Sequence, residues 1–178
     1  MNRMEVTIYT DGACKGNPGP GGFCAILVCR GHEKIVEGGS QQTTNNRMEL
    51  TAVAEAVKAL NKPCNIHIVT DSKYVMMSKD KWRRWSLKRD IPNGDVWKEL
   101  FSVAKAGNHK LHYEHVDGHS GHIYNERCDR LARAQAVRFS RALLMPKPTP
   151  IKPGMSCSEL IQKLMDEEKQ EKLCMAMT

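Results

Sequence analysis

Four short stretches of the chain each carry one carboxylate: Tyr9-Thr10-Asp11-Gly12, Asn45-Asn46-Arg47-Met48-Glu49-Leu50, Val69-Thr70-Asp71-Ser72 and Asn125-Glu126-Arg127-Cys128-Asp129. Asp11 and Asp71 end runs that read as strands, whereas Glu49 and Asp129 fall on segments that read as helices. Hard divalent cations take oxygen ligands, and Mg²⁺ in particular binds a few carboxylates while keeping waters and substrate phosphate oxygens. Four acids without His or Cys ligand spacing beside them therefore suggest paired Mg²⁺ acting on a phosphodiester. Any one of these acids alone would read as a cap or a solvated carboxylate.

The elements that must position them can be read from periodicity. Glu5 to Tyr9 alternates, with Val6 and Ile8 on one face and Thr7 and Tyr9 on the other, as a strand does. Residues 16–22 are rich in Gly and Pro and read as a turn. The apolar runs 23–29 and 33–38, separated by Arg30-Gly31-His32, predict an antiparallel meander with the first strand. From Asn46 to Leu60 the apolar residues recur at helical spacing, with Asn45 or Asn46 as the expected cap and Asn61 and Pro63 as the stop. Strands are expected at 66–70 and 111–116, and helices behind Ser72, at 95–106 and from Asn125 to about Leu144. If the strands ending at Asp11 and Asp71 are neighbours, their acids stand side by side, and Glu49 and Asp129 close the site from the flank. The predicted fold class is α/β, a mixed five-stranded sheet in the order βββαβαβα flanked by helices, with further helix around 79–90.

Five ordered blocks give the chain a resemblance to type 1 ribonuclease H. They are Tyr9–Gly12 running on to Gly16-Asn17-Pro18-Gly19-Pro20-Gly21-Gly22, then Thr43–Leu50, Thr70-Asp71-Ser72-Lys73-Tyr74-Val75, Gly118-His119-Ser120-Gly121-His122, and Asn125–Asp129. The resemblance implies a ribonuclease H-like fold and hydrolysis of the RNA strand of RNA–DNA hybrids to 5′-phosphate and 3′-hydroxyl ends. It also implies that Asp11, Glu49, Asp71 and Asp129 ligate two Mg²⁺ ions, with Mn²⁺ as the alternative, and that His119 assists proton transfer or product release. By similarity, Asn17 and Asn45 touch the RNA strand, where a 2′-hydroxyl reader is needed, and Asn46 offers a further amide beside the acids. Thr44 and Asn93 match positions that grip a DNA-strand phosphate. Lys73 stands where bacterial relatives often have glutamine, and a phosphate contact is expected from it. Turn and cap roles are the plain alternatives for these residues. His122 reads as a loop residue, not as a metal partner of His119.

Residues 79–89 hold six cations against one acid, with two tryptophans between them. Trp82, Arg83, Arg84, Trp85, Lys88 and Arg89 are accordingly expected to bind substrate, the cations through phosphates and the indoles by packing on sugar or base. The family has a basic protrusion here. This one is shorter and lacks a third tryptophan, which predicts weaker hybrid affinity.

The 178 residues carry a formal charge of +7, and residues 146–178 are balanced with five lysines against five acids, so the whole surplus lies in residues 1–145. Any nucleic-acid footprint belongs there. The expected organisation is a catalytic domain over 1–145, a Pro-rich linker over 146–155 and a short amphipathic helical tail over 156–178, in part disordered. Ser156 and Glu159 form a capping box ahead of that tail's apolar stripe. The tail is open to three readings: docking on its own domain, binding a protein partner, or disorder. Seven cysteines without a CxxC pair, no secretory leader and no membrane-length apolar run predict a reduced, cytoplasmic protein that does not enter a membrane, and a monomer is expected. The rival readings are a hybrid-binding module without catalysis and a DNA-cutting nuclease of the same fold.

Overall fold

The computed structural model describes residues 3–78, 91–118 and 121–144, together with residues 159, 161, 162, 165 and 166. Contacts divide the chain into two units, Met1–Ala142 and Leu143–Thr178. In the second unit the described residues are helical, and Gln162 Nε2 donates to Asp166 Oδ1 at 3.2 Å, one turn away.

Three strands open the first unit: β1 (Met4–Cys14), β2 (Gly19–Cys29) and β3 (His32–Thr43). Helix α1 (Asn45–Lys58), β4 (Cys64–Thr70) and the short α2 (Lys73–Ser78) follow, then α3 (Gly94–Ala106), β5 (Lys110–His115) and α4 (Ile123–Leu144). The five strands form one sheet in the order β3-β2-β1-β4-β5. β1, β2 and β3 run as the expected antiparallel meander, whereas β1, β4 and β5 are mutually parallel. The mixed five-stranded α/β fold is as the sequence predicts. No helix among the described residues is long and apolar enough to cross a membrane.

The alternation in β1 assigns its faces. Val6 and Ile8 point into a large core with Leu27, Ile66 and Ile68 of the sheet, Leu50, Val53 and Val57 of α1, and Trp97 and Leu100 of α3. On the other face Tyr9 joins a thinner cluster with Cys24, Ile26 and, from α4, Cys128 and Ala132. Burying a Leu or Ile side chain contributes about 1.5–3 kcal/mol, so the first face supplies most of the stabilisation and α4 needs further anchors.

Those anchors come from glycine and from polar clamps. Gly22 and Gly39 are cross-strand partners on β2 and β3. A Cβ on Gly22 would lie 2.4 Å from Ala132 O, and one on Gly39 would lie 2.6 Å from Phe139 Cδ2, so α4 rests directly on the strand backbones. At the start of α4, Tyr124 and Arg127 both donate to Glu33 of β3, at 2.8 and 2.6 Å.

Four sequence expectations need correction. The cap of α1 is Thr44, not Asn45 or Asn46: Thr44 is extended, and its Oγ1 accepts from Arg47 N at 3.3 Å, while Asn45 is already helical. Residues 19–22 belong to β2 and not to a turn, and Gly21 and Gly22 there let α1 and α4 approach the sheet. β3 runs past Gly38 to Thr43, held by pairing with β2 up to Gly19↔Thr43. α1 stops at Lys58 with Ala59 as its C-cap, slightly ahead of the expected Leu60.

Candidate active site

β1 and β4 are hydrogen-bonded parallel neighbours with Thr10 opposite Thr70, so the next residues, Asp11 and Asp71, emerge together at the same end of the sheet. Glu49 reaches them from the first turns of α1, and Asp129 from α4. All four carboxylates line one open cleft of about 600 Å³ together with Gly12, Cys14, Lys15, Asn45 and Arg133.

Gly12 makes the first approach possible. A Cβ there would lie 2.3 Å from Glu49 N and 2.6 Å from Met48 C, so the backbone of α1 is pressed against β1 just beside Asp11. Gly118 plays a similar part on the other side, since its Cβ would fall 2.9 Å from Asp71 Oδ2.

Each carboxylate has a holder. Gly12 N–H donates to Asp11 Oδ1 at 2.7 Å. Asn45 Nδ2 donates to Glu49 Oε1 at 2.8 Å, and Ser72 Oγ donates to Glu49 Oε2. Asn125 Nδ2 donates to Asp71 Oδ2 at 3.2 Å. Arg133 Nε donates to Asp129 Oδ1 at 2.7 Å.

Burial, and then neighbouring charge, raises the proton affinity of Asp11 and Glu49. Asp11 is pushed up to about 8, first by burial and then by the charge of Asp71, with smaller contributions from Asp129 and Glu49 against the opposing Gly12 N–H. Glu49 is also raised, mainly by burial, against the opposing hydroxyl of Ser72 and with a push from Asp71. A cluster that resists its own charge accepts either protons or cations. Among the described residues no three His, Cys, Asp or Glu side chains form a ready cage for an ion. An open, all-oxygen donor set fits Mg²⁺, which retains waters and uses substrate oxygens, better than it fits a closed structural site. The residues present therefore fit the implied ions.

Asn17 sits next to this cluster, its Oδ1 accepting from Asn45 N at 3.2 Å, which ties the β1–β2 connection to the start of α1. Asn46 and Lys73 are exposed near the cleft ends of α1 and α2. Asn93 lies further out: it is left-handed with φ 55° at the start of α3 and makes no side-chain cap. Its Nδ2 donates to Tyr74 OH at 3.0 Å and its Oδ1 accepts from Arg47 Nη1 at 3.5 Å, while Arg47 also pairs with Asp95. His122 packs its ring 5.1 Å from that of Tyr9, in keeping with a loop residue. His119 and the basic-segment residues Trp82, Arg83, Arg84, Trp85, Lys88 and Arg89 lie outside the described residues.

Three polar partners of the acids escaped the sequence reading. Ser72 is visible in sequence only as a cap, which it also is, accepting from Val75 N at 3.1 Å. Asn125 lies in a quoted motif but shows no role there. Arg133 stands four residues after Asp129, the spacing at which helical side chains meet, and that spacing was the available signal.

Comparison with known proteins places the chain in a family. The sequence profile of the RNase H family matches residues 3–137. Ribonuclease H of Nitratidesulfovibrio vulgaris strain DP4 is 48% identical over 147 residues, covering 78% of this chain and 93% of the relative. That of Cupriavidus metallidurans is 51% identical over 137 residues, covering 72% and 93%. Among solved structures, LC9-RNase H1, described as a type 1 RNase H with the type 2 active-site motif, superposes with a TM-score of 0.67 at 26% identity, covering 78% of this chain and 74% of the other. LC11-RNase H1, solved in complex with an RNA/DNA hybrid, shares the fold with a TM-score of 0.60 at 20% identity, covering 75% and 97%.

Proposed function

Since the chain belongs to the ribonuclease H family, we propose that it is an endonuclease that hydrolyses the RNA strand of RNA–DNA hybrids, using two Mg²⁺ ions held by Asp11, Glu49, Asp71 and Asp129. The observation that carries this reading is the convergence of four carboxylates from four separate elements on one open cleft, with Asp11 pushed up to about 8 by burial and by its neighbours. A protein that only bound nucleic acid would gain nothing from such a cluster facing a polyanion, which disfavours the binding-module alternative.

When bound, the ions supply Lewis-acid polarisation of the phosphodiester and stabilise charge on the attacking and leaving oxygens. The chain's own residues do the rest. Asn45 and Ser72 fix the two oxygens of Glu49, Asn125 orients Asp71, and the Gly12 N–H fixes Asp11. Rigid ligands of this kind cost no reorganisation during reaction. Asn17, Asn45 and Asn46 supply amides for the RNA 2′-hydroxyl, the group that separates RNA from DNA. Thr44, Lys73 and Asn93 contact phosphates, as does the basic segment 79–89. His119 exchanges protons with the leaving strand. Water is the nucleophile, and the products carry 5′-phosphate and 3′-hydroxyl ends. The five described cysteines are free thiols, which supports work in a reducing compartment such as the cytoplasm.

The test is cleavage of one labelled RNA strand offered as hybrid, as RNA–RNA duplex and as single strand, with Mg²⁺ and with EDTA. Cutting of the hybrid alone, and only with metal, is expected. Tight hybrid binding without cutting would overturn the catalytic reading.

A further inference from the structure

Among the described residues two cations line the cleft, Lys15 and Arg133. Arg133 follows Asp129 by one helical turn, and its Nε holds Asp129 Oδ1 at 2.7 Å. The pair is lopsided, with Arg133 62% exposed and Asp129 only 22%. The guanidinium thus reaches in from the rim to a carboxylate that faces its three fellows. It satisfies the charge that a divalent cation would otherwise meet. An exposed i,i+4 pair of this sort is weak, so a better partner for either member dissolves it. For a guanidinium, that partner is a phosphate, whose oxygens match its parallel N–H groups.

We infer that Arg133 is a built-in counter-cation, which holds Asp129 while the cleft is empty and passes to a phosphate oxygen of the nucleic acid when substrate enters, releasing Asp129 for a metal ion. The inference rests on the reading of the four carboxylates as metal ligands. Arg133 acts through Asp129 and is a positioning residue. Its consequence is reciprocal: substrate raises affinity for metal, and metal raises affinity for substrate. The unloaded site is held weak for metal until there is something to cut.

The test uses the full chain and Mn²⁺ alone, titrated by calorimetry without nucleic acid into wild type, Arg133→Gln, Arg133→Lys and Asp71→Asn. Arg133→Gln should bind Mn²⁺ roughly threefold to tenfold more tightly than wild type, because a positive charge next to the ion is gone. Arg133→Lys keeps the charge and should stay near wild type, which also guards against a folding defect in the glutamine variant. In EDTA, hybrid binding by Arg133→Gln should show a log–log salt slope shallower by about 0.7–0.9, the share of one phosphate contact. A purely structural ion pair would leave Mn²⁺ affinity unchanged or reduce it. Either of those results, or an unchanged salt slope, overturns the proposal. Failure of the underlying reading looks different, since wild type and Asp71→Asn would then bind Mn²⁺ alike.

Discussion

Gly12→Ala isolates the placement of one carboxylate from everything else in the cleft. The new Cβ would stand 2.3 Å from Glu49 N, 2.6 Å from Met48 C and 2.9 Å from Glu49 Cα, all backbone atoms that no rotamer change can move. Restoring an ordinary contact of 3.4 Å with Glu49 N therefore requires α1 and β1 to part by about 1.1 Å at the point where Glu49 faces Asp11. Overpacking of this kind costs about 1–3 kcal/mol, or roughly 2–12 °C in thermal midpoint for a chain of this size. A misplacement of about 1 Å at a reacting centre costs on the order of 10²-fold in rate, so hybrid cleavage should fall by about that factor. Gly31→Ala supplies the control. Gly31 has φ +79° and nothing within 4 Å of a Cβ, in the β2–β3 turn remote from the acids. Forcing a side chain into that left-handed turn costs about 1–2 kcal/mol without touching the cleft. Steady-state cleavage and thermal unfolding of the two variants should then show comparable losses of stability and a loss of activity in Gly12→Ala alone. Gly12→Ala with turnover within about threefold of wild type would refute the claim that glycine sets the Asp11–Glu49 geometry, and so would an equal loss in Gly31→Ala.

Asp11→Asn should retain hybrid binding while losing cleavage by orders of magnitude; near-normal turnover would sink the assignment of Asp11 as a metal ligand. Because the folded chain raises Asp11 to about 8 from the ordinary 3.8, the folded state holds the extra proton between these values, and metal-free stability declines as pH rises through that window. Asp11→Asn should flatten that decline in urea denaturation followed from about pH 5 to about pH 8. His109 predicts the opposite slope: its Nδ1 accepts from Cys64 N at 3.2 Å, and burial holds its pKa below the ordinary 6.5, against a smaller raising effect from the Leu60 carbonyl. Its contribution is present above about pH 6.5 and is lost as pH falls through the folded value. His109→Gln should therefore lose the part of the acid sensitivity that wild type shows below about pH 6.5, and an unchanged profile would show that the imidazole is not buried neutral.

What the sequence carried and what it hid divide along one physical line. Val6 and Ile8 declared their face because burial on one side of a strand imposes period two, and Thr10 and Thr70 pair as the strand-end placement of Asp11 and Asp71 required. The misread stretches are glycine-rich ones. In isolation, Gly21 and Gly22 signal chain reversal, yet here they are strand residues whose missing side chains make room for Met48 of α1 and for the backbone of α4, as Gly39 of β3 does for Phe139 of α4. That room exists only once a distant helix is packed against the sheet, so no local rule distinguishes it from a turn. The same holds around the acids. The carboxylates could be picked out because each sits at the end or on the flank of an element with its own pattern. Ser72 became a donor to Glu49 through a contact between the β4–α2 junction and α1 that sequence neighbours do not encode, whereas the Thr44 cap and the reach of Asn45 to Glu49 are local contacts of the first turns of α1. Arg133 is the intermediate case: its reach to Asp129 follows from helical spacing alone, but its significance depends on three further carboxylates brought from elsewhere in the chain. The cleft is thus specified twice, by motifs that supply the charges and by small residues that let those charges meet. Substitutions in the second set should be as damaging to catalysis as those in the first, although they remove no functional group.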